Sequence, residues 1–380
     1  MSLPVLSITQ LYPGARTGRE GLFIHRRLKA LPAPFAPRVW RVRPSFPLRG
    51  GPRPPAMETV DGIQVEDVPF FYLPLVLKSL DGSFLLRALR RRDPGDARLI
   101  DAHFAYPAGF AAVHLAQRAR LPVVVTLRGT EAPYAREGGR RARIRECLRL
   151  ADRIVCVSSS LADLARELGA PADRIRVIGN GVDLEALRAG DAGRARERWD
   201  LPAGRRILLT VGGLSERKGV RRVLEALPEL LTAHPDLLYV VAGGGGRESS
   251  EELAIRRRLR ELGLEAVVRL LGEVDAEDVP DLYAAADAFV LATRNEGWCN
   301  ALTEAIAAGL PLVVTDVGGN REVCAGRASC RLVPFGDGEA LLSALLETLA
   351  TPTGTRFHEG PPRSWEDVGR DVAAVFRELL

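Results

Sequence analysis

The chain has 380 residues, a formal net charge of +5 and a sequence pI near 9.1, a length that suits two domains rather than one core. Its five cysteines (Cys147, Cys156, Cys299, Cys324, Cys330) are odd in number and lack CxxC spacing, which argues against a disulfide framework or a zinc site and fits a reducing cytosol. No apolar run approaches the ~18 residues of a membrane span, and MSLPVLSIT reads as a first strand rather than an export signal, so the expectation is a cytoplasmic protein, soluble or at most peripheral to a membrane.

In chain order, residues 3–9 form an apolar strand. PGARTGREGLFIHRRLKAL follows, with Gly14, Gly18 and Gly21 ahead of an amphipathic helical pattern. Glycines let a backbone approach a ligand closely, but the spacing matches neither GxGxxG nor a Walker loop, so a plain surface connection explains them equally well. Residues 32–55, rich in Pro and Arg, combine an edge strand at 38–42 with a long loop. Alternation then sets in: strand 63–68, helix 80–91, strand 98–103, helix 108–118 and strand 123–127, the rhythm of a doubly wound α/β domain. Open parallel sheets bind ligands at the carboxyl ends of their strands. His103, which closes one strand, and Arg128 and Glu131, in the TLRGTE that ends the next, therefore become candidates for one cleft wall; a purely structural histidine is the plainer reading. The helix at 137–150 carries Arg140, Arg141, Arg143, Arg145 and Arg149, either a solvated face or an attraction for acidic lipid or phosphate. A strand at 153–157, a helix capped by Ser158 to Ser160 and a strand at 175–178 lead to GNGVD, beyond which the composition turns polar and a domain boundary is expected at about residue 188.

The second half restarts with a strand at 207–211 and GGLSERKGV, where Gly212, Gly213 and Gly219 bracket Arg217 and Lys218. Two cations on such a loop can neutralise a diphosphate; exposed solvated charge is the alternative. The strand at 237–242 ends in Gly243 to Gly246, the strand at 267–271 runs into Gly272 and Val274, and a helix covers 279–285. Then comes NEGWCNALTEAIAAGLPLVVTDVGG, residues 295–319, between apolar strands at 286–292 and 310–314. This is a βαβ unit, with Glu296 on the loop leaving the first strand and Glu304 in the first turns of the helix. The free N–H groups of Asn300, Ala301, Leu302 and Thr303 at the helix start form an anion site, while the two carboxylates suit neutral hydroxyls. A nucleotide sugar has that layout. A strand at 327–334, a helix at 338–349, a Pro- and Gly-rich connection at 351–362 and an amphipathic helix from Trp365 close the chain.

These residues resemble the retaining glycosyltransferases of family 4 (glycosyl transferases group 1), most densely in EGWCNALTEAIAAGLPLVVTDVGG, ADAFVLAT and VIGNGVD, and more faintly in AHFAYPAGFAA and PGARTGREGLF. The resemblance implies the α/β GT-B fold, two facing Rossmann-like domains with the nucleotide-sugar cleft between them: residues 1–188 on the acceptor side, 189–355 on the donor side, and 356–380 a helix crossing back onto the first. It implies Glu296 on the hydroxyls of the transferred sugar, Glu304 on the ribose, the backbone of Asn300, Ala301, Leu302 and Thr303 on the diphosphate, and Lys218 with Arg217 on the charge of the leaving group. Val274 would meet the base through its backbone, His103 the donor sugar near the reacting carbon, and Gly14, Gly18 and Gly21 would lie over the phosphates.

Two departures stand out. Where the family often reads VGR this chain has Val211, Gly212 and Gly213, so either Arg217 replaces the missing arginine or Lys218 acts alone. Where many relatives carry a histidine, this chain has Arg128, which leaves the acceptor-side contacts of Arg128 and Glu131 open. The expected reaction is transfer of a sugar from a nucleoside diphosphate sugar, the donor substrate, to a hydroxyl of a glycan, a lipid-linked saccharide or a small molecule, with retention. No metal and no cofactor are expected, since no DxD motif sits on a strand-ending loop of the second half. The expected setting is the cytoplasm or the inner face of the cytoplasmic membrane, with contact to acidic lipids and no nucleic-acid partner. The alternatives are a catalytically silent nucleotide-sugar-binding protein and a nucleotide-sugar epimerase on the same fold.

Overall fold

The computed structural model describes residues 2–15, 18, 20–46, 57–73, 77–244, 250–360 and 362–380. The chain divides into two compact units, one of Met1–Gly181 with Trp365–Leu380 and one of Val182–Ser364. The first unit is built on eight strands: β1 (Leu3–Thr9), β2 (Phe35–Ser45), β3 (Met57–Val60), β4 (Ile63–Phe71), β5 (Leu99–His103), β6 (Val123–Leu127), β7 (Arg153–Cys156) and β8 (Ile175–Val177). They lie in the order β3-β4-β2-β1-β5-β6-β7-β8, parallel except for the β3–β4 hairpin. The strand order reverses between β1 and β5, the switch point at which open sheets leave a crevice.

The expected edge strand at 38–42 is an interior strand. β2 pairs with β1 on one side and β4 on the other, and its Arg41 is 2% exposed. The charge is tolerated because Arg41 Nε donates to Asp67 Oδ1 (2.6 Å) and Nη2 to Glu58 Oε1 (2.5 Å). Glu58 comes from β3, an element that the charged sequence does not announce.

The second unit holds six parallel strands: β9 (Arg206–Val211), β10 (Leu237–Ala242), β11 (Val268–Gly272), β12 (Ala288–Leu291), β13 (Leu312–Thr315) and β14 (Cys330–Val333), in the order β11-β10-β9-β12-β13-β14. Every residue of β10 and β12 is buried, as expected of parallel strands covered on both faces. Here the switch point lies between β9 and β12.

Residues 182–188, which the composition assigns to the first half, go with the second unit. Asp183 caps the helix Leu184–Arg188 by accepting from Ala186 N at 3.0 Å, and a side chain at Gly190 would come within 2.5 Å of Pro280 O. The closing helix Trp365–Arg377 packs in the first unit beside the helix Leu22–Lys29. Gly369 permits the contact, since a Cβ there would lie 1.9 Å from Ala30 O, and Phe376 meets Phe35 edge to face at 5.5 Å.

Candidate active site

In the second unit, the two loops that leave the switch-point strands converge. After β9 the short turn Glu216–Lys218 ends at Gly219, whose φ of +81° puts it in the left-handed region and whose Cβ would fall 1.9 Å from Ala292 O. Only glycine lets this turn lie against the end of β12. The turn is pinned there: Arg294 N donates to Arg217 O at 2.8 Å, and the buried Thr293 hydroxyl sits 2.8 Å from Arg217 O and 3.1 Å from Glu296 Oε1. Lys218 Nζ then reaches Glu296 Oε1 at 2.8 Å and Arg217 Nη1 the same oxygen at 3.0 Å. The Glu296 and Lys218 side chains are 8% and 15% exposed, whereas Arg217 keeps 47% and stays within reach of solvent anions. Burial opposes the charge on Lys218, but the sulfur of Cys299 and the carboxylate of Glu296 outweigh it and hold the ammonium above its ordinary range.

The Glu296 loop is clamped from the other side by Gly318, at φ +51°, where a Cβ would fall 1.9 Å from Glu296 O; Gly319 N donates to that carbonyl at 3.3 Å. Thr293 and Gly318 are positioning residues that sequence reasoning missed; Gly219 entered it only as a glycine flanking Arg217 and Lys218. The available signal was the glycine after each strand, which has meaning only once the carbonyl opposite is known.

The helix Asn300–Ala307 begins after Cys299 with no side-chain cap. Thr303 N–H is committed to Cys299 O at 3.1 Å. Of the four backbone donors expected for a diphosphate, that of Thr303 is taken up inside the helix, because an α-helix pairs its fifth N–H with the residue that precedes it. Burial pushes the Cys299 thiol up to about 11. Glu304 is oriented by Tyr283, whose hydroxyl lies 3.1 Å from Glu304 Oε2 and 3.0 Å from Ala301 O. Val274 follows β11 half-buried against the apolar layer under the sheet. At Gly213 no atom of the described residues lies within 4 Å of where a Cβ would be, and Arg217 turns to Glu296. Gly243 lets the ends of β9 and β10 touch, its Cβ position being 2.5 Å from Gly212 O; Gly245 and Gly246 lie outside the described residues.

In the first unit, His103 is fully buried. Arg128 Nε donates to its Nδ1 at 3.2 Å, and its Nε2 lies 3.2 Å from Asp101 Oδ2. Burial pushes the imidazole down to about 4 in spite of Asp101, so it is neutral at pH 7. Asp101 is held well below the carboxylate range because Arg27, ahead of His103, outweighs the opposing effect of burial; Arg27 Nη2 donates to Asp101 Oδ1 at 3.1 Å. Arg128 also donates to Asn180 Oδ1 at 3.1 Å. Glu131 spends its carboxylate on backbone N–H groups, accepting from Ala105 at 2.9 Å, Gly129 at 2.8 Å and Arg128 at 3.1 Å. Sequence reasoning offered Glu131 to an acceptor; its buried oxygens instead hold the loop ends of β5 and β6. Among the glycines, Gly14 and Gly18 bond to each other across a small bridge. Gly21 starts the helix Leu22–Lys29 at φ +78°, where a Cβ would meet Leu11 O at 2.4 Å. At Gly14 a Cβ would strike Glu58 and Arg41, so close packing against that ion pair accounts for this glycine. Among the described residues no three His, Cys, Asp or Glu side chains gather as a metal site.

Residues 24–186 match the family model of Glycosyltransferase Family 4, and residues 191–358 that of Glycosyl transferases group 1. The chain belongs to glycosyltransferase family 4. The D-inositol 3-phosphate glycosyltransferase 2 of Catenulispora acidiphila is 29% identical over 328 residues, covering 80% of this chain and 76% of that protein. A Bacillus subtilis glycosyltransferase named for teichuronic acid biosynthesis is 28% identical, covering 83% and 82%. In fold, family 4 membership brings GT-B neighbours. Sucrose-phosphate synthase from Thermosynechococcus elongatus superposes with a TM-score of 0.77 at 21% identity over 99% of this chain and 94% of its own. Anabaena HepE, in complex with UDP and glucose, superposes with a TM-score of 0.75 at 18% identity over all of both chains.

Proposed function

We propose that this glycosyltransferase moves a sugar from a nucleoside diphosphate sugar to an acceptor hydroxyl, with retention at the anomeric carbon and without a metal. The carrying observation is the meeting of Lys218 and Arg217 with Glu296 at the β9/β12 switch point. A carboxylate alone there would repel a diphosphate, and two cations alone would not read hydroxyls. Together they give one wall for the leaving group and one for the sugar. When the donor binds, its diphosphate takes over the charge of Lys218 and Arg217, which frees Glu296 to accept from sugar hydroxyls. The bond from the anomeric carbon to the diphosphate oxygen breaks, the acceptor oxygen attacks on the same face, and its proton passes to the departing phosphate oxygen. Glu304, steadied by Tyr283, takes the ribose, and the segment at Val274 the base. The UDP and UDP-glucose complexes of HepE make a uridine nucleotide the first donor to test.

The experiment is release of UDP or GDP from a panel of nucleotide sugars, with and without saccharide and lipid extracts as acceptors. Acceptor-dependent release with an α-product from an α-donor is expected. Donor binding with no release under any acceptor would leave a silent binding protein, and conversion of the donor alone to another sugar would indicate an epimerase. We place the work in the cytoplasm, with the exposed Arg141, Arg145 and Arg149 of the helix Gly138–Leu150 toward acidic lipid. Flotation with phosphatidylglycerol vesicles that is unchanged by reversing these three charges would refute that contact.

A further inference from the structure

The five thiols of the chain differ in their surroundings. Cys147, Cys156, Cys299 and Cys324 are buried, whereas Cys330 is partly exposed. Burial pushes the thiols of Cys147, Cys156 and Cys299 up, which leaves them protonated and unreactive at neutral pH. Cys324 and Cys330 form a pair. Cys324 closes the helix Asn320–Cys324 and Cys330 opens β14. The chain between them doubles back in two turns, Arg327 N donating to Cys324 O at 3.1 Å and Cys330 N to Arg327 O at 3.4 Å, and both side chains pack on the same apolar layer under the sheet.

This turn is fastened from outside. Arg327 donates to Val323 O at 3.2 Å and to Gly360 O at 3.1 Å, and Ser329 donates to Glu359 through its N–H at 3.0 Å and its hydroxyl at 2.6 Å. The Ser329 hydroxyl also lies 3.8 Å from the Cys330 sulfur. Within this frame each of the two thiols is the leading influence on the other. The Cys324 thiol holds Cys330 below the ordinary thiol range, ahead of the opposing effect of burial and with help from Ser329, while Cys330 and burial push Cys324 up. A readily ionised, accessible thiol beside a buried second thiol has the layout of a redox-sensing cysteine with its resolving partner.

We propose that Cys330 and Cys324 are a reversible redox pair, closed to a disulfide by hydrogen peroxide and reopened by a low-molecular-weight thiol. The Cys330 thiolate attacks one peroxide oxygen, the O–O bond breaks, and the departing hydroxide takes up the thiol's proton as water. The Cys324 sulfur then attacks the sulfur of the resulting sulfenic acid, the S–O bond breaks, and the hydroxyl leaves with the Cys324 proton as a second water. Two equivalents of glutathione restore both thiols and leave as glutathione disulfide. The bond forms at one end of the helix Asn320–Cys324. At its other end Gly319 N donates to Glu296 O at 3.3 Å and Val323 N donates to Gly319 O at 3.1 Å, so drawing Cys324 toward β14 pulls on the Glu296 loop. That this pull is felt at the donor site rests on the function proposed above; the formation of the disulfide does not.

The test treats the reduced full chain with a stoichiometric amount of hydrogen peroxide, blocks the remaining thiols with iodoacetamide and digests with trypsin. Cleavage after Arg321, Arg327 and Arg331 separates the two cysteines, so the disulfide appears as peptides 322–327 and 328–331 joined and two hydrogens lighter than their sum. This species should form in the wild type, vanish with dithiothreitol, and arise while Cys147, Cys156 and Cys299 are oxidised at least tenfold more slowly. In Cys324→Ser the sulfenic acid should persist on Cys330 and be captured there by dimedone. UDP affinity should fall at least threefold on oxidation, recover with dithiothreitol, and stay unchanged when Cys330→Ser is given the same peroxide. No joined peptides from the folded chain, or oxidation of the three buried cysteines as fast as Cys330, overturns the pair. Joined peptides with unaltered UDP affinity refute the pull on the Glu296 loop, and joined peptides in a chain whose reduced form binds no UDP uphold the pair and count against the donor reading instead.

Discussion

Glu296 Oε1 lies within 3.1 Å of Lys218, Arg217 and Thr293 together, so removing its charge or that of Lys218 strips a partner from a buried centre as well as a contact from a ligand. Glu296→Gln and Lys218→Ala should each lower kcat at least tenfold, about 1.4 kcal/mol of transition-state stabilisation, with circular dichroism unchanged. Near-normal rates in both would sink the assignment. Cys299→Ala should stay within about threefold of wild type, because a thiol pushed up to about 11 by burial is protonated and inert at neutral pH. His103 carries a pH signature. Its folded value of about 4 lies below the ordinary 6.5, so the unfolded chain takes up a proton first as pH falls, and stability is lost between those two values. Between pH 7 and pH 5 the wild type should lose about 1–2 kcal/mol more in urea unfolding than His103→Gln, in which the amide can still accept from Arg128. Equal losses would refute the depressed imidazole. At this scale the sequence named His103 because it ends a strand and Glu296 and Lys218 because each lies on a loop that leaves one, but it could not tell that His103 is sealed by Asp101 and Arg128.

The glycine-punctuated loops of the second unit work as clamps. Gly219 and Gly318 both have positive φ, and both stand where a Cβ would be 1.9 Å from a backbone carbonyl, that of Ala292 in one case and Glu296 in the other. Alanine at either position combines backbone strain of about 1–3 kcal/mol with a clash that only moving the loop can relieve. Gly219→Ala and Gly318→Ala should therefore weaken UDP binding more than tenfold while lowering the melting temperature only by several degrees, measured by calorimetry. Binding at wild-type strength would mean that the loops adapt. The strands themselves were legible as apolar runs, and most begin and end within a residue or two of the pattern. β2 was not: Arg41 and its prolines read as an edge, and only the pairing with Asp67 and Glu58 makes it an interior strand. Thr303 was read as a backbone donor for a similar reason, since which N–H groups the helix Asn300–Ala307 pairs internally depends on where its first turn starts.

For the molecule as a whole, each unit has its own core, and the last helix completes the first one. Trp365, Val368, Val372 and Phe376 are buried. At about 1.5–3 kcal/mol for each large apolar side chain, their loss would rival the ~5–15 kcal/mol by which a typical protein is stable. A chain truncated after Ser364 should show a first unit that is insoluble or open to proteolysis, while the segment Val182–Ser364 expressed alone should fold and be stabilised by UDP in a thermal-shift assay. A first unit that stays folded without the helix would show that its core does not depend on it.

The sequence by itself determined the family, the two α/β halves and the chemistry of the residues at the strand ends, because strand periodicity and glycine-ended loops are local properties. Only the tertiary structure decided which of those loops meet. Lys218 and Glu296 stand 78 positions apart and come within 2.8 Å because β9 and β12 are neighbours at the point where the strand order reverses. Local pattern carries no information about strand order, and strand order is what places a cation against a carboxylate.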